Sequence, residues 1–122
     1  MNCRNLLLGI AVSTALLAAD PTVEQARKKI AEKKYDEAIT QLETANKAKP
    51  NAEVKKALAD AYLVKADSIM ADQNAPPRMK YPAALSAYRE VLKYDSANQK
   101  AKDQIGQIES IYKSMGLSLI HI

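Results

Sequence analysis

Few groups in this chain could do chemistry. Adjacent carboxylates stand at Asp36-Glu37 and adjacent amines at Lys28-Lys29 and Lys33-Lys34. The single cysteine, Cys3, and the single histidine, His121, lie at opposite ends of the sequence. A carboxylate pair serves acid–base catalysis when its members sit in different environments. Asp36 and Glu37 are neighbours on a polar helix face, where solvated charge is the plainer reading. Nucleophilic triads and zinc sites lack their usual His and Cys residues. No Gly-rich phosphate loop occurs. These residues point to a non-enzymatic protein with no metal and no cofactor. The formal charge is +4, with positive and negative residues interspersed. The four lysines make a local basic patch that could touch an anionic lipid surface, although a solvated helix face is the plainer reading. A nucleic-acid surface needs a broader basic stripe, so no nucleic-acid partner is expected.

The two ends differ from the middle. Arg4 precedes a largely apolar run of twelve residues from Leu6 to Leu17, and Ala18-Ala19 follows before Asp20. This is the three-part order of a secretory signal peptide, assigned to residues 1–19. The run is shorter than the roughly 20 residues a helix needs to cross a bilayer. Export to a periplasmic or secreted location is therefore expected, with membrane contact only if the signal stays uncleaved. Cleavage would also remove Cys3, leaving no thiol for a disulfide. Residues 117–122, Leu-Ser-Leu-Ile-His-Ile, are apolar after a polar stretch and resemble a translated sequencing adapter. On that reading they are non-native, His121 included, and the natural sequence is interrupted after about Gly116.

The residues between are 20–116. The chain is 48% hydrophobic, with six tyrosines and neither Trp nor Phe. Abundant Ala, Leu, Lys and Glu favour helices over strands. In Tyr35–Pro50, the residues Tyr35, Ala38, Ile39, Leu42 and Ala45 draw one helical stripe. Pro50 ends it. Tyr81–Ser96 repeats the layout without gaps, through Tyr81, Ala84, Leu85, Tyr88 and Val91. A first helix is expected from Thr22 to Lys33. A third runs from about Ala52 to Asp72 on Val54, Leu58, Ala61, Tyr62, Ala66 and Ile69. Residues 73–80, with Pro76-Pro77, read as a loop. A fourth helix is expected from Pro82 to Tyr94. The fifth begins near Gln99 and carries Ala101, Ile105, Ile108 and Tyr112 on one face.

This repetition resembles the tetratricopeptide repeat family, whose period is roughly 34 residues. Lys55-x2-Leu58-Ala59-x2-Tyr62 is similar to the family's first-helix pattern, and Lys102-x2-Ile105-Gly106-x2-Glu109 follows it less completely. Ala38-x3-Leu42 with Pro50, and Ala84-x3-Tyr88, are similar to its second-helix pattern. The resemblance implies an all-α fold of antiparallel helical hairpins stacked as a short right-handed solenoid. Repeats would span 20–51 and 52–98, with a capping or partial-repeat helix over 99–115. Ala59 and Gly106 would sit where paired helices approach closely. The middle repeat carries a surplus in residues 64–80, expected to lengthen the third helix and to form a loop.

Such arrays hold a peptide or partner helix on the concave face. Mapped onto this chain, that face comprises Arg27, Lys56, Asp60, Leu63, Lys100, Asp103 and Gln107. Val23 and Arg27 stand where a carboxylate clamp would need lysine and asparagine, so no clamp is expected. The implied function is a protein-interaction scaffold of the cell envelope with a protein or peptide partner. The alternatives are a membrane-tethered structural subunit of an envelope complex, or an interrupted accessory part of a larger enzyme.

Overall fold

The structure is a computed structural model that describes residues 20–116. The signal-peptide reading, the tail reading, Cys3 and His121 lie outside the described residues. Five helices follow one another: α1 (Pro21–Ala31), α2 (Tyr35–Ala48), α3 (Ala52–Ala71), α4 (Pro77–Tyr94) and α5 (Gln99–Ser114). Among the described residues there is no strand, so the all-α expectation holds. No described helix is long and apolar enough to cross a membrane.

Side chains cap three of the helix starts. Asp20 accepts the Thr22 N–H at 2.8 Å, Asn51 the Val54 N–H at 2.8 Å, and Asn98 the Ala101 N–H at 2.9 Å. Each satisfies one of the donors that a helix start leaves free. The end of α1 is tighter than expected. The helix stops at Ala31 rather than Lys33, because Lys33 turns into the left-handed region with φ 64°. The Lys33 N–H then donates to the Ile30 carbonyl at 2.9 Å, and the Lys34 N–H to the Lys29 carbonyl at 2.8 Å. That is a Schellman turn built with lysine where glycine is usual. We expect Lys33→Gly to stabilise the fold by about 0.5–1 kcal/mol through relief of that backbone strain. A thermal melt checks it, and an unchanged or lowered midpoint would contradict the strain.

The start of α4 corrects the sequence reading. The helix begins at Pro77, not Pro82, and the loop shrinks to residues 72–76. Pro77 occupies the first helical position, where its fixed φ fits and its missing N–H costs nothing. The Met79 and Lys80 N–H groups both donate to the Pro76 carbonyl at 2.9 Å. Arg78, Met79 and Lys80 are thus helical. Pro82 sits inside the helix and removes one N–H from its second turn. The surplus of residues 64–80 does lengthen α3, to 20 residues, and it lengthens α4 as well, to 18. The corresponding helices α1 and α2 have 11 and 14 residues.

Each helix packs on the next in chain order, and α1 also touches α3. The repeated stripes are buried as their spacing predicts: Ala38, Leu42, Ala84 and Leu85 are fully enclosed. One apolar cluster joins α1, α2 and the first half of α3 around Leu42 and Leu58. A second joins the rest of α3 to α4 and α5 around Leu85, Tyr88 and Ile108. Tyr62 and Tyr94 lie against both clusters, their rings stacked 6.2 Å apart at 9°. With no Phe or Trp, these tyrosines supply the aromatic bulk that connects the two halves.

Burial pushes the hydroxyls of Tyr62, Tyr88, Tyr94 and Tyr112 above the ordinary phenol value. Glu43 and Glu90 add repulsion at Tyr62 and Tyr94, and the bond to Asp67 adds to the effect at Tyr88. The folded state therefore holds these protons more tightly than the unfolded chain. That contribution is complete below pH ~10 and is lost as pH rises through the raised values. Tyrosinate absorbance of the four should appear together with loss of helical dichroism. Titration of these four near pH ~10 with helicity intact would contradict this.

Candidate functional site

The residues assigned to a concave face come from α1, α3 and α5. Polar contacts connect α1 to α3 and α3 to α5. The Asp20 N–H at the start of α1 donates to Glu53 Oε1 on α3 at 3.1 Å. Lys100 Nζ on α5 reaches Asp67 Oδ2 on α3 at 2.6 Å. The other oxygen of Asp67 accepts the Tyr88 hydroxyl at 2.6 Å. One carboxylate thus ties α3, α4 and α5, using a tyrosine that is itself buried.

The seven candidates do not converge on one point. Arg27 pairs with Glu24 at 3.5 Å on its own helix. Lys56 and Asp60 pair with each other at 3.2 Å, one turn apart. These exposed pairs add little stability. Leu63 is half-buried and packs against the second cluster. Lys100 turns toward α3, whereas Asp103 and Gln107 line an open hollow on α5 with Lys102, Gly106, Ser110 and Ile111. Asp103 also accepts from Gln99 Nε2 at 2.8 Å. Asp67 was missed by the sequence reading. It continues the Asp60, Leu63 spacing by four residues, which places it on the same helical face.

Gly106 corrects a further expectation. Its counterparts Ala26 and Ala59 are buried, as a close helix approach requires. A Cβ added at Gly106 would meet nothing within 4 Å. The reason lies in its neighbours. Where α3 sets Leu58, Ala59, Tyr62 and Ala66, the matching α5 positions are Ile105, Gly106, Glu109 and Lys113. Glu109 instead pairs with Arg89 of α4 at 3.7 Å. Gly106→Ala should stabilise the protein by about 0.5–1 kcal/mol, since an exposed mid-helix glycine gains only by the change. A lower melting midpoint would mean that another helix covers this face.

No family model, no curated protein and no solved structure matches the chain.

A cleft of about 380 Å³ separates the α1–α2 turn from the extension of α3, lined by Lys33, Lys34, Tyr35, Asp36, Lys65 and Ile69 among others. Two of its charges meet each other, Lys65 Nζ and Asp36 Oδ1 at 2.7 Å, and Lys34 pairs with Glu32 outside the lining at 3.4 Å. Among the described residues, no group of three or more His, Cys, Asp or Glu could hold a metal ion.

Proposed function

We propose that the chain is a tetratricopeptide-like interaction scaffold that holds a peptide or partner helix on the shared face of α1, α3 and α5. The observation that carries this reading is the packing order. Successive helices pair, α1 also meets α3, and the small residues Ala26, Ala38, Ala59 and Ala84 are buried at equivalent positions of the two repeats. The same repetition supports a short right-handed solenoid as the arrangement. The face it offers is polar and mixed in charge, with Leu63 as its apolar element. A partner would therefore have to combine hydrogen-bonding groups with one apolar anchor. Export to the envelope rests on the order of charge, apolar run and small residues in 1–19.

Photo-crosslinking residues placed singly at Lys56, Leu63 and Lys100 test the proposal in intact cells. A common adduct is expected at these positions and not at Thr44, which is exposed on α2. No adduct at the three positions, or equal adducts at Thr44, would overturn the assignment of the face. The mass of the isolated chain tests export separately: loss of residues 1–19 is expected.

A further inference from the structure

Three large apolar residues are exposed among the described residues: Val64, Met79 and Met115. Met79 is the most open, at 68%, and Met115 follows at 51%. Both lie at one end of the molecule. Tyr62 faces Tyr94, and Asp67 faces Tyr88, so Ala71 at the end of α3 faces about Ala84. The first seven residues of α4 therefore run roughly 10 Å beyond α3. On the other side α5 returns along α4, with Arg89 opposite Glu109. Counting from that pair at about 1.5 Å per residue brings Met115 to within roughly 6 Å of the level of Met79 along the axis.

The charge around this tip is one-sided. Arg78 and Lys80 flank Met79, and Lys113 lies in the last turn of α5. Asp72 is the one acidic residue in the loop and the first turns of α4. None of these four charges has an ion-pair partner among the described residues, whereas half of the lysines elsewhere do. Exposed methionines ringed by unpaired cations match a surface that is apolar beneath and anionic above. A bilayer with acidic headgroups is such a surface, and basic residues beside it each contribute to attraction.

We propose that the tip formed by the start of α4 and the end of α5 rests on an anionic membrane, inserting Met79 and Met115 between headgroups held by Arg78, Lys80 and Lys113. This places a membrane contact neither in residues 1–19 nor at the Lys28-Lys29 and Lys33-Lys34 patch. It is independent of what the shared helical face binds.

A local probe tests it on the full chain. An environment-sensitive fluorophore is attached at Met79→Cys in a Cys3→Ser background, and separately at Lys47→Cys at the far end of α2. Vesicles contain phosphatidylcholine with or without phosphatidylglycerol. With phosphatidylglycerol, emission at 79 should shift to the blue while emission at 47 stays aqueous. Arg78→Glu with Lys80→Glu should weaken the vesicle titration at 79 by about fivefold or more per charge. Circular dichroism verifies that each labelled chain is helical. Aqueous emission at 79 on anionic vesicles, or an equal shift at 47, would overturn the proposal. So would a shift at 79 that needs a soluble protein and no vesicle, which would make the tip a protein contact.

Discussion

Tyr88→Ala should lower the unfolding free energy by about 4 kcal/mol, the largest effect of any single truncation here. Tyr88 is the largest fully buried side chain, 1% exposed, and it stands where α3, α4 and α5 meet. Truncation opens a cavity that three rigid helices cannot close, and it also removes the bond to Asp67. Tyr88→Phe isolates the second effect. It keeps the ring and loses only the 2.6 Å hydroxyl bond, at a cost of about 1–2 kcal/mol. Asp67 keeps Lys100 as a partner and is partly solvated, so no buried charge is stranded. Denaturant unfolding of both variants checks this. Equal losses for Phe and Ala would mean that the hydroxyl, not the ring, holds the three helices.

Leu58→Ala should cost about 3 kcal/mol. Leu58 is fully enclosed between α1, α2 and α3, and with Leu42 it is the largest residue of the first cluster. Against a total stability of about 5–15 kcal/mol for a domain of this size, that is a large fraction. Leu63→Ala, one and a half turns away, should cost less, about 1–2 kcal/mol, because Leu63 is only partly buried. The contrast between two leucines on one helix is the informative part. Urea midpoints that fall equally for both would place Leu63 in the core and remove the apolar element from the proposed binding face.

Much of this architecture was legible in the sequence, for a definite reason. Helical periodicity is a local property, and Tyr35–Leu42 and Tyr81–Tyr88 carry it twice with the same spacing. Burial of Ala38, Leu42, Ala84 and Leu85 followed directly. The stop before Pro50 is similarly local. The misreadings arose where two local rules compete or where a distant neighbour decides. Pro77 and Pro82 both suit a first turn, and only the packing of the long hairpin selects the earlier one. Gly106 looked like a close-approach residue because Ala59 is one. Nothing in its own motif says that the face beside it is left open. The candidate face was legible only as a set of positions on first helices. Where each side chain turns depends on its partner: Lys100 goes to Asp67, which the sequence reading did not select, whereas Asp103 and Gln107 go to the open side of α5.

In the proposed arrangement the helices stack in chain order, and α1, α3 and α5 share one side. Carbodiimide coupling, read by peptide mass spectrometry, addresses it most directly, because it joins amines only to carboxylates already in contact. The expected result includes two amides between helices, Lys65 to Asp36 and Lys100 to Asp67, matching separations of 2.7 and 2.6 Å. The first fixes α3 against α2, and the second fixes α5 beside α3. A Lys100 found joined to Asp103 and never to Asp67, or links that form only between copies of the chain, would contradict the stacked arrangement.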